Sequence, residues 1–301
     1  MRARIAVATV IVLLGGITVF VVGYRIRIEH SPRNRGPAAA ESGRNSGRTS
    51  GGSETAAAPG DTAPARSAPP GPAAASAPVG PLFQPATDVH GCTASVVDSP
   101  SRDLLITAAH CVTGNAAGLR FAPGYTRGIA PYGSWTVLAA YADPHWVQGQ
   151  DQRYDFAVLR VAADRSGRHV QDRVGANRLP SGTRTVPAVV RVVGYAAGRD
   201  DDAVTCNTTA TDYGGDETSP FLEFDCAGFV SGTSGSPWIT AVDPVSGAGA
   251  IVGLIGGLDA GGCTDAVSYS PRLGAPAVAL VVRAETGDAP DQMPSAPSDG
   301  C

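Results

Sequence analysis

The sequence predicts an all-β fold, and three observations carry the prediction. Short β-branched runs recur between residues 85 and 285, clusters of Gly, Pro, Asn and Asp separate them, and no long stretch keeps a helical period. The runs cover residues 93–97, 104–107, 135–140, 156–161, 188–193, 251–255 and 278–282. Side chains branched at Cβ are stiff and pack well on a pleated surface, so each run reads as a strand. Many short strands between turn signals build a barrel or a sandwich. A length of roughly 200 residues suits one all-β unit or two fused barrels.

The flanks have a different texture. Residues 5–24 are an uncharged run between Arg2/Arg4 and Arg25/Arg27. A helix of about 20 such residues rises roughly 30 Å, the thickness of a hydrocarbon core. The run ends Phe20-Val21-Val22-Gly23-Tyr24 without the small-residue cleavage pattern of a signal peptide. Residues 1–30 are therefore expected to anchor the chain in the cell membrane with the rest outside, or to yield a secreted protein if residues 1–24 are removed. The arginines after the run outnumber those before it, and the positive-inside rule argues for the opposite orientation. The cysteines argue for the outside. Residues 31–84 are Pro, Ala, Gly and Ser with scattered Arg, and bury too little apolar area to offset the entropy of ordering. They are expected to form a disordered stalk, the folded domain to cover residues 85–285, and residues 286–301 to form a polar, disordered tail.

Charge and cysteine content narrow the function. The formal net charge is −4 and all 23 basic residues are Arg without a basic stripe, so a nucleic-acid partner is not expected. The six cysteines (Cys92, Cys111, Cys206, Cys226, Cys263 and Cys301) include no CxxC pair, which removes zinc-ribbon and thioredoxin-type readings. Widely spaced, even-numbered cysteines behind an export segment point to disulfides formed in an oxidising compartment. His30, His90, His145 and His169 have no ligand-type spacing, so neither a metal nor a cofactor is expected. Asn207-Thr208-Thr209 matches a glycosylation sequon, for which chance is sufficient explanation.

Three segments carry chemistry. Leu105-Ile106-Thr107-Ala108-Ala109-His110-Cys111 is a strand running into small residues and a histidine. Asp155-Phe156-Ala157-Val158-Leu159 opens an apolar strand with an aspartate. Gly232-Thr233-Ser234-Gly235-Ser236-Pro237 sets a serine in a glycine-rich turn. A serine hydroxyl is a poor nucleophile, so an imidazole must take its proton as attack begins. A carboxylate on the far nitrogen holds that imidazole in the required tautomer. The oxyanion that forms needs preorganised donors, and the N–H groups of Gly232 and Ser234 are the candidates. Each segment alone is weak evidence. Together, in the order His, Asp, Ser, they are specific.

With these motifs the chain resembles the chymotrypsin/trypsin-like serine protease family, and especially its secreted bacterial branch. Thr107-Ala108-Ala109-His110-Cys111 resembles the family's general-base segment, Asp155-Phe156-Ala157-Val158-Leu159 its triad-aspartate segment, and the Ser234 turn its nucleophile turn. The resemblance implies two packed antiparallel β-barrels, a catalytic triad of His110, Asp155 and Ser234, and hydrolysis of polypeptides through an acyl-enzyme by a monomer. It also implies a Cys92–Cys111 disulfide, with Gly91-Cys92-Thr93-Ala94-Ser95 as the partner strand. Cys226 lies eight residues before Ser234, which makes Cys206 its expected partner and leaves Cys263 with Cys301.

Two departures bear on activation and specificity. The residue before the nucleophile is Thr233 where many members carry an Asp that receives a new N-terminus, so activation by N-terminal insertion is not expected. Ile255-Gly256-Gly257 resembles the segment that binds the substrate backbone, which makes Gly256 and Gly257 expected pocket walls. Asp225, nine residues before Ser234, is farther away than the family's pocket acid. A neutral pocket for small or apolar side chains is expected, with Asp225 at its floor as the rival reading. The rival function is a non-catalytic trypsin-like surface binding module.

Overall fold

The structure is a computed structural model that describes residues 76–182, 186–198 and 202–295. Residues 5–24, the stalk up to residue 75 and Cys301 lie outside the described residues. Among the described residues no helix is long and apolar enough to cross a membrane.

Six strands close a barrel: β1 (Val79–Phe83), β2 (His90–Val96), β3 (Leu104–Thr107), β4 (Arg120–Phe121), β5 (Trp135–Ala142) and β6 (Ala157–Val161), in the order β1-β2-β3-β6-β5-β4. Closure removes exposed strand edges, and β1 completes it by pairing with both β2 and β4. The interior is aliphatic. Leu104, Leu105, Ile106, Val158 and Leu159 are fully buried on the antiparallel pair β3·β6.

The second half is a six-stranded antiparallel sheet of β7 (Ala188–Gly194), β8 (Val204–Asp212), β9 (Phe221–Asp225), β10 (Pro237–Thr240), β11 (Ala250–Leu254) and β12 (Val267–Pro271), in the order β11-β10-β7-β8-β9-β12. It is barrel-like without a closing ladder. Its ends meet where Leu254 N–H donates to Ser270 Oγ at 2.8 Å and Gly256 N–H to the Tyr269 carbonyl at 3.0 Å. Its core is smaller and more aromatic, with Phe224 edge-on to Trp238 at 4.7 Å and to Phe229 at 5.4 Å, contacts that favour a defined geometry.

Three expectations are corrected. Residues 79–83 are not stalk: Val79-Gly80-Pro81-Leu82-Phe83 is the fully buried strand β1. Gly80 lets β1 approach residue 122 closely, since a Cβ there would lie 2.2 Å from the Ala122 carbonyl oxygen. Residues 278–282 are not a strand. They lie in the third of the helices α1 (Pro144–Gly149), α2 (Val170–Val174) and α3 (Gly274–Thr286). Ala277, Leu280 and Ala284 form the buried stripe of α3, Pro276 falls in its first turn, and left-handed Gly287 ends it. The stripe outweighs the β preference of the intervening valines. The tail is not free up to residue 295: Met293 is buried and pairs with Gly114, and Asp291 accepts from Ala142 N–H at 2.8 Å.

Cys92–Cys111 and Cys206–Cys226 are bonded as expected. Cys263 is disulfide-bonded as well.

Candidate active site

His110 sits in a single 3-10 turn, Ala109–Cys111, directly after β3. Ala108 and Ala109 are fully buried, so the chain leaves the barrel through space that larger side chains would not fit. The Cys92–Cys111 bridge ties this turn back to β2, and a loop of that length stabilises by about 3 kcal/mol. Asp155 ends the 3-10 turn Gln152–Tyr154, immediately before β6, and its side chain is only 1 % exposed. Because β3 and β6 are adjacent in the barrel, both residues emerge from the same end of one strand pair.

The two make a paired contact. His110 Nδ1 lies 2.7 Å from Asp155 Oδ2, and the backbone N–H of His110 donates to Oδ1 at 2.9 Å. An ionised carboxylate only accepts, so Nδ1 carries the proton and Nε2 is left as the basic nitrogen. A further donor comes from the turn after β11: Gly257 N–H reaches Asp155 Oδ2 at 2.7 Å. With these three donors the buried charge is compensated. Burial pulls the pKa of His110 down. The Asp155 charge and hydrogen bond together outweigh burial and leave the imidazole above its usual 6.5.

Ser234 lies in the turn before β10, partly exposed, and lines the same cleft as His110 and the Cys92–Cys111 bridge. The turn is shaped by two glycines in the left-handed region, Gly232 at φ 96° and Gly235 at φ 84°. Both positions also exclude a side chain. A Cβ on Gly232 would lie 2.1 Å from Ala197 N, and one on Gly235 2.1 Å from the Thr93 carbonyl oxygen.

The peptide planes of this turn are set from behind. Ala197 N–H donates to the Ser231 carbonyl at 2.8 Å, so the N–H of Gly232 on the same trans peptide faces the other way. Ser236 donates to the Thr233 carbonyl through its N–H at 3.0 Å and its hydroxyl at 2.5 Å, which turns the N–H of Ser234 outward likewise. Neither of these two N–H groups meets a protein acceptor among the described residues. Two such donors beside a partly exposed serine are the arrangement an oxyanion requires.

The cleft has a volume of about 720 Å³. The expected pocket residues fall elsewhere. Gly256 and Gly257 do not line it; a Cβ on Gly256 would sit 3.1 Å from Asp155 Oδ2, and Gly257 is the donor to that atom. Asp225 does not line it either. It is exposed at the end of β9, paired in the ladder with Val267. The acids lining the cleft are Asp259 and Asp265, in company with Phe229 and Val230. Sequence reasoning missed both, because residues 258–270 carry no motif. Asp259 and Ala260 adopt left-handed torsions (φ 50° and 53°) that no glycine advertises.

Comparison with known proteins agrees with this geometry. Residues 92–247 match the family model of the trypsin-like peptidase domain. The chain belongs to this family. It is a serine endopeptidase, and its substrate is a polypeptide. No curated protein sequence matches the chain. Three solved structures share the fold. Protease Anisep from Arthrobacter nicotinovorans is 24% identical over 69% of this chain and 95% of its own, with a TM-score of 0.57. The thermostable serine protease AL20 from an extremophilic microorganism is 24% identical over 71% and 99%, with a TM-score of 0.59. A Glu endopeptidase is 19% identical over 70% and 91%, with a TM-score of 0.52.

Proposed function

We propose that this trypsin-like peptidase cleaves polypeptides with Ser234 as nucleophile, His110 as general base and acid, and Asp155 as the group that orients His110. The observation that carries the reading is the Asp155–His110 contact of 2.7 Å, beside a serine in whose turn two N–H groups meet no acceptor among the described residues. His110 Nε2 takes the proton of Ser234 as Oγ attacks the peptide carbonyl carbon. The carbonyl electrons move to oxygen, where the Gly232 and Ser234 N–H groups receive them. Collapse expels the amine, which takes the proton back from His110, and leaves an acyl-enzyme. Water then enters by the same route, His110 again acting as base, and releases the acid and free Ser234.

The working place we propose is outside the cytoplasm, with the chain acting as a monomer held to the membrane through residues 5–24. The uncharged run in the sequence and the disulfide-bonded cysteines support that placement. The experiment on function is hydrolysis of a denatured protein by the full chain and by Ser234→Ala. The variant is expected to lose on the order of 10⁶-fold in kcat, as in comparable triads. Retained hydrolysis would leave the non-catalytic binding module as the better reading of this cleft.

A further inference from the structure

Thr93 is fully buried on β2, beside Cys92, and belongs to none of the motifs that point to catalysis. All its polar atoms are nevertheless engaged around the Ser234 turn. Its N–H donates to the Ser234 carbonyl at 2.8 Å, and its own carbonyl accepts from Thr107 Oγ1 at 2.7 Å. Its hydroxyl accepts from Tyr195 N–H at 2.9 Å and lies 3.3 Å from the Gly232 carbonyl oxygen. A threonine hydroxyl has a single proton. Since Tyr195 N–H occupies a lone pair, that proton is directed at Gly232.

These bonds cross between the two halves of the molecule. Thr93 and Thr107 belong to the closed barrel, and Thr107 is three residues from His110. Tyr195 follows β7 of the second sheet, and residues 232–234 precede β10. One side chain therefore grips the turn at Gly232, at a donor residue for the oxyanion, while the same residue's N–H grips it at Ser234. We infer that Thr93 is a positioning residue: its hydroxyl fixes the Ser234 turn of the second sheet at the distance and angle from His110 that proton transfer requires. This inference rests on Ser234 being the nucleophile.

The energetics favour a kinetic signature over loss of the fold. Valine has nearly the shape of threonine without the hydroxyl, so Thr93→Val keeps the barrel filled, and its cost falls on the Tyr195 N–H and the Gly232 carbonyl, which lose their Thr93 partner. Both backbone bonds of Thr93 remain. A turn released at one of two grips is free to shift, and misplacement of up to about 1 Å reduces the chemical step by as much as about 10²-fold.

The test compares the full chain with Thr93→Val and Thr93→Ser, measuring kcat and KM on a peptide substrate, the rate of fluorophosphonate labelling, and the thermal midpoint. Thr93→Val is expected to lower kcat and the labelling rate on the order of 10- to 100-fold, with KM within about threefold. Thr93→Ser, which keeps the hydroxyl, is expected to stay within about threefold of the parent. Wild-type kcat in Thr93→Val overturns the inference, as does an equal loss in both variants, which would mark Thr93 as packing alone. Should the valine variant not accumulate, the serine variant decides: kcat near the parent's supports the role of the hydroxyl, and a loss beyond about tenfold at an unchanged midpoint overturns it. Failure of the parent itself to be labelled would instead remove Ser234 as nucleophile, and this inference with it.

Discussion

The closed barrel and the second sheet present the residues of the proposed triad by different means. His110 and Asp155 stand at the ends of β3 and β6, two adjacent strands whose interior side chains are fully buried. Their separation follows from strand pairing, and a packed aliphatic core enforces it. Ser234 sits in a turn whose shape depends on two left-handed glycines and on carbonyls bonded from behind. A site built on strand ends inherits the stiffness of the core. A site built on a turn has to be braced residue by residue. The first kind tolerates small changes in its support, and the second should not.

The largest effect short of removing the nucleophile is expected from Asp155→Asn. An amide nitrogen turned toward Nδ1 would favour the wrong imidazole tautomer, and kcat is expected to fall on the order of 10⁴-fold. Activity within tenfold of the parent would show that the barrel contributes position alone. Gly232→Ala attacks the other half. The added Cβ would lie 2.1 Å from Ala197 N at a backbone φ of 96°, so the turn must move. A loss of about 10²- to 10³-fold in kcat is expected, similar to losing an oxyanion donor. Its counterpart in the barrel is Ile106→Val, a comparable change in volume beneath β3. That variant is expected to cost about 0.5–1.5 kcal/mol of stability and to leave kcat near the parent's. Equal sensitivity at the two positions would dissolve the contrast.

A smaller effect comes from pH. His110 must be neutral to act as base, and its pKa is raised in the folded protein. The profile of kcat/KM should therefore rise with pH through a midpoint above 6.5, and Asp155→Asn should move that midpoint down. Stability runs the other way. Folding favours protonated His110, so this contribution is complete below the unfolded-state pKa and fades as pH rises through the folded-state value. A midpoint below 6.5 in the parent would contradict the Asp155 contact as the dominant influence on His110.

The same contrast explains what was legible in the sequence. Strands β3, β6 and β11 announce themselves through apolar runs, because both of their faces are mostly buried, whereas β5 and β7 also carry the exposed Leu138 and Val189. Strand β8 does not announce itself. Val204-Thr205-Cys206-Asn207-Thr208-Thr209-Ala210-Thr211-Asp212 is half-exposed, and its Asn, Thr and Asp resemble turn chemistry. Strand β1 was hidden by a Pro, a Gly and the composition upstream of it. The proposed triad of His110, Asp155 and Ser234 rests on side-chain types that a sequence displays directly. The role of Gly257 does not, since a backbone N–H that reaches a carboxylate leaves no mark on residue type. Asp225 at the pocket floor, the rival reading, does not hold: the β9·β12 ladder carries it out of the cleft, and a turn of unusual torsions brings Asp259 there instead.

The most direct measurement of the central claim is reaction of the full chain with a fluorophosphonate probe, followed by peptide mass spectrometry. Only a serine activated by a base and facing an oxyanion site reacts at a useful rate. Labelling is expected at Ser234 alone, slowed strongly in Asp155→Asn and in Gly232→Ala. An unlabelled protein, or a label on a serine outside the turn before β10, would contradict the assignment of Ser234 as nucleophile.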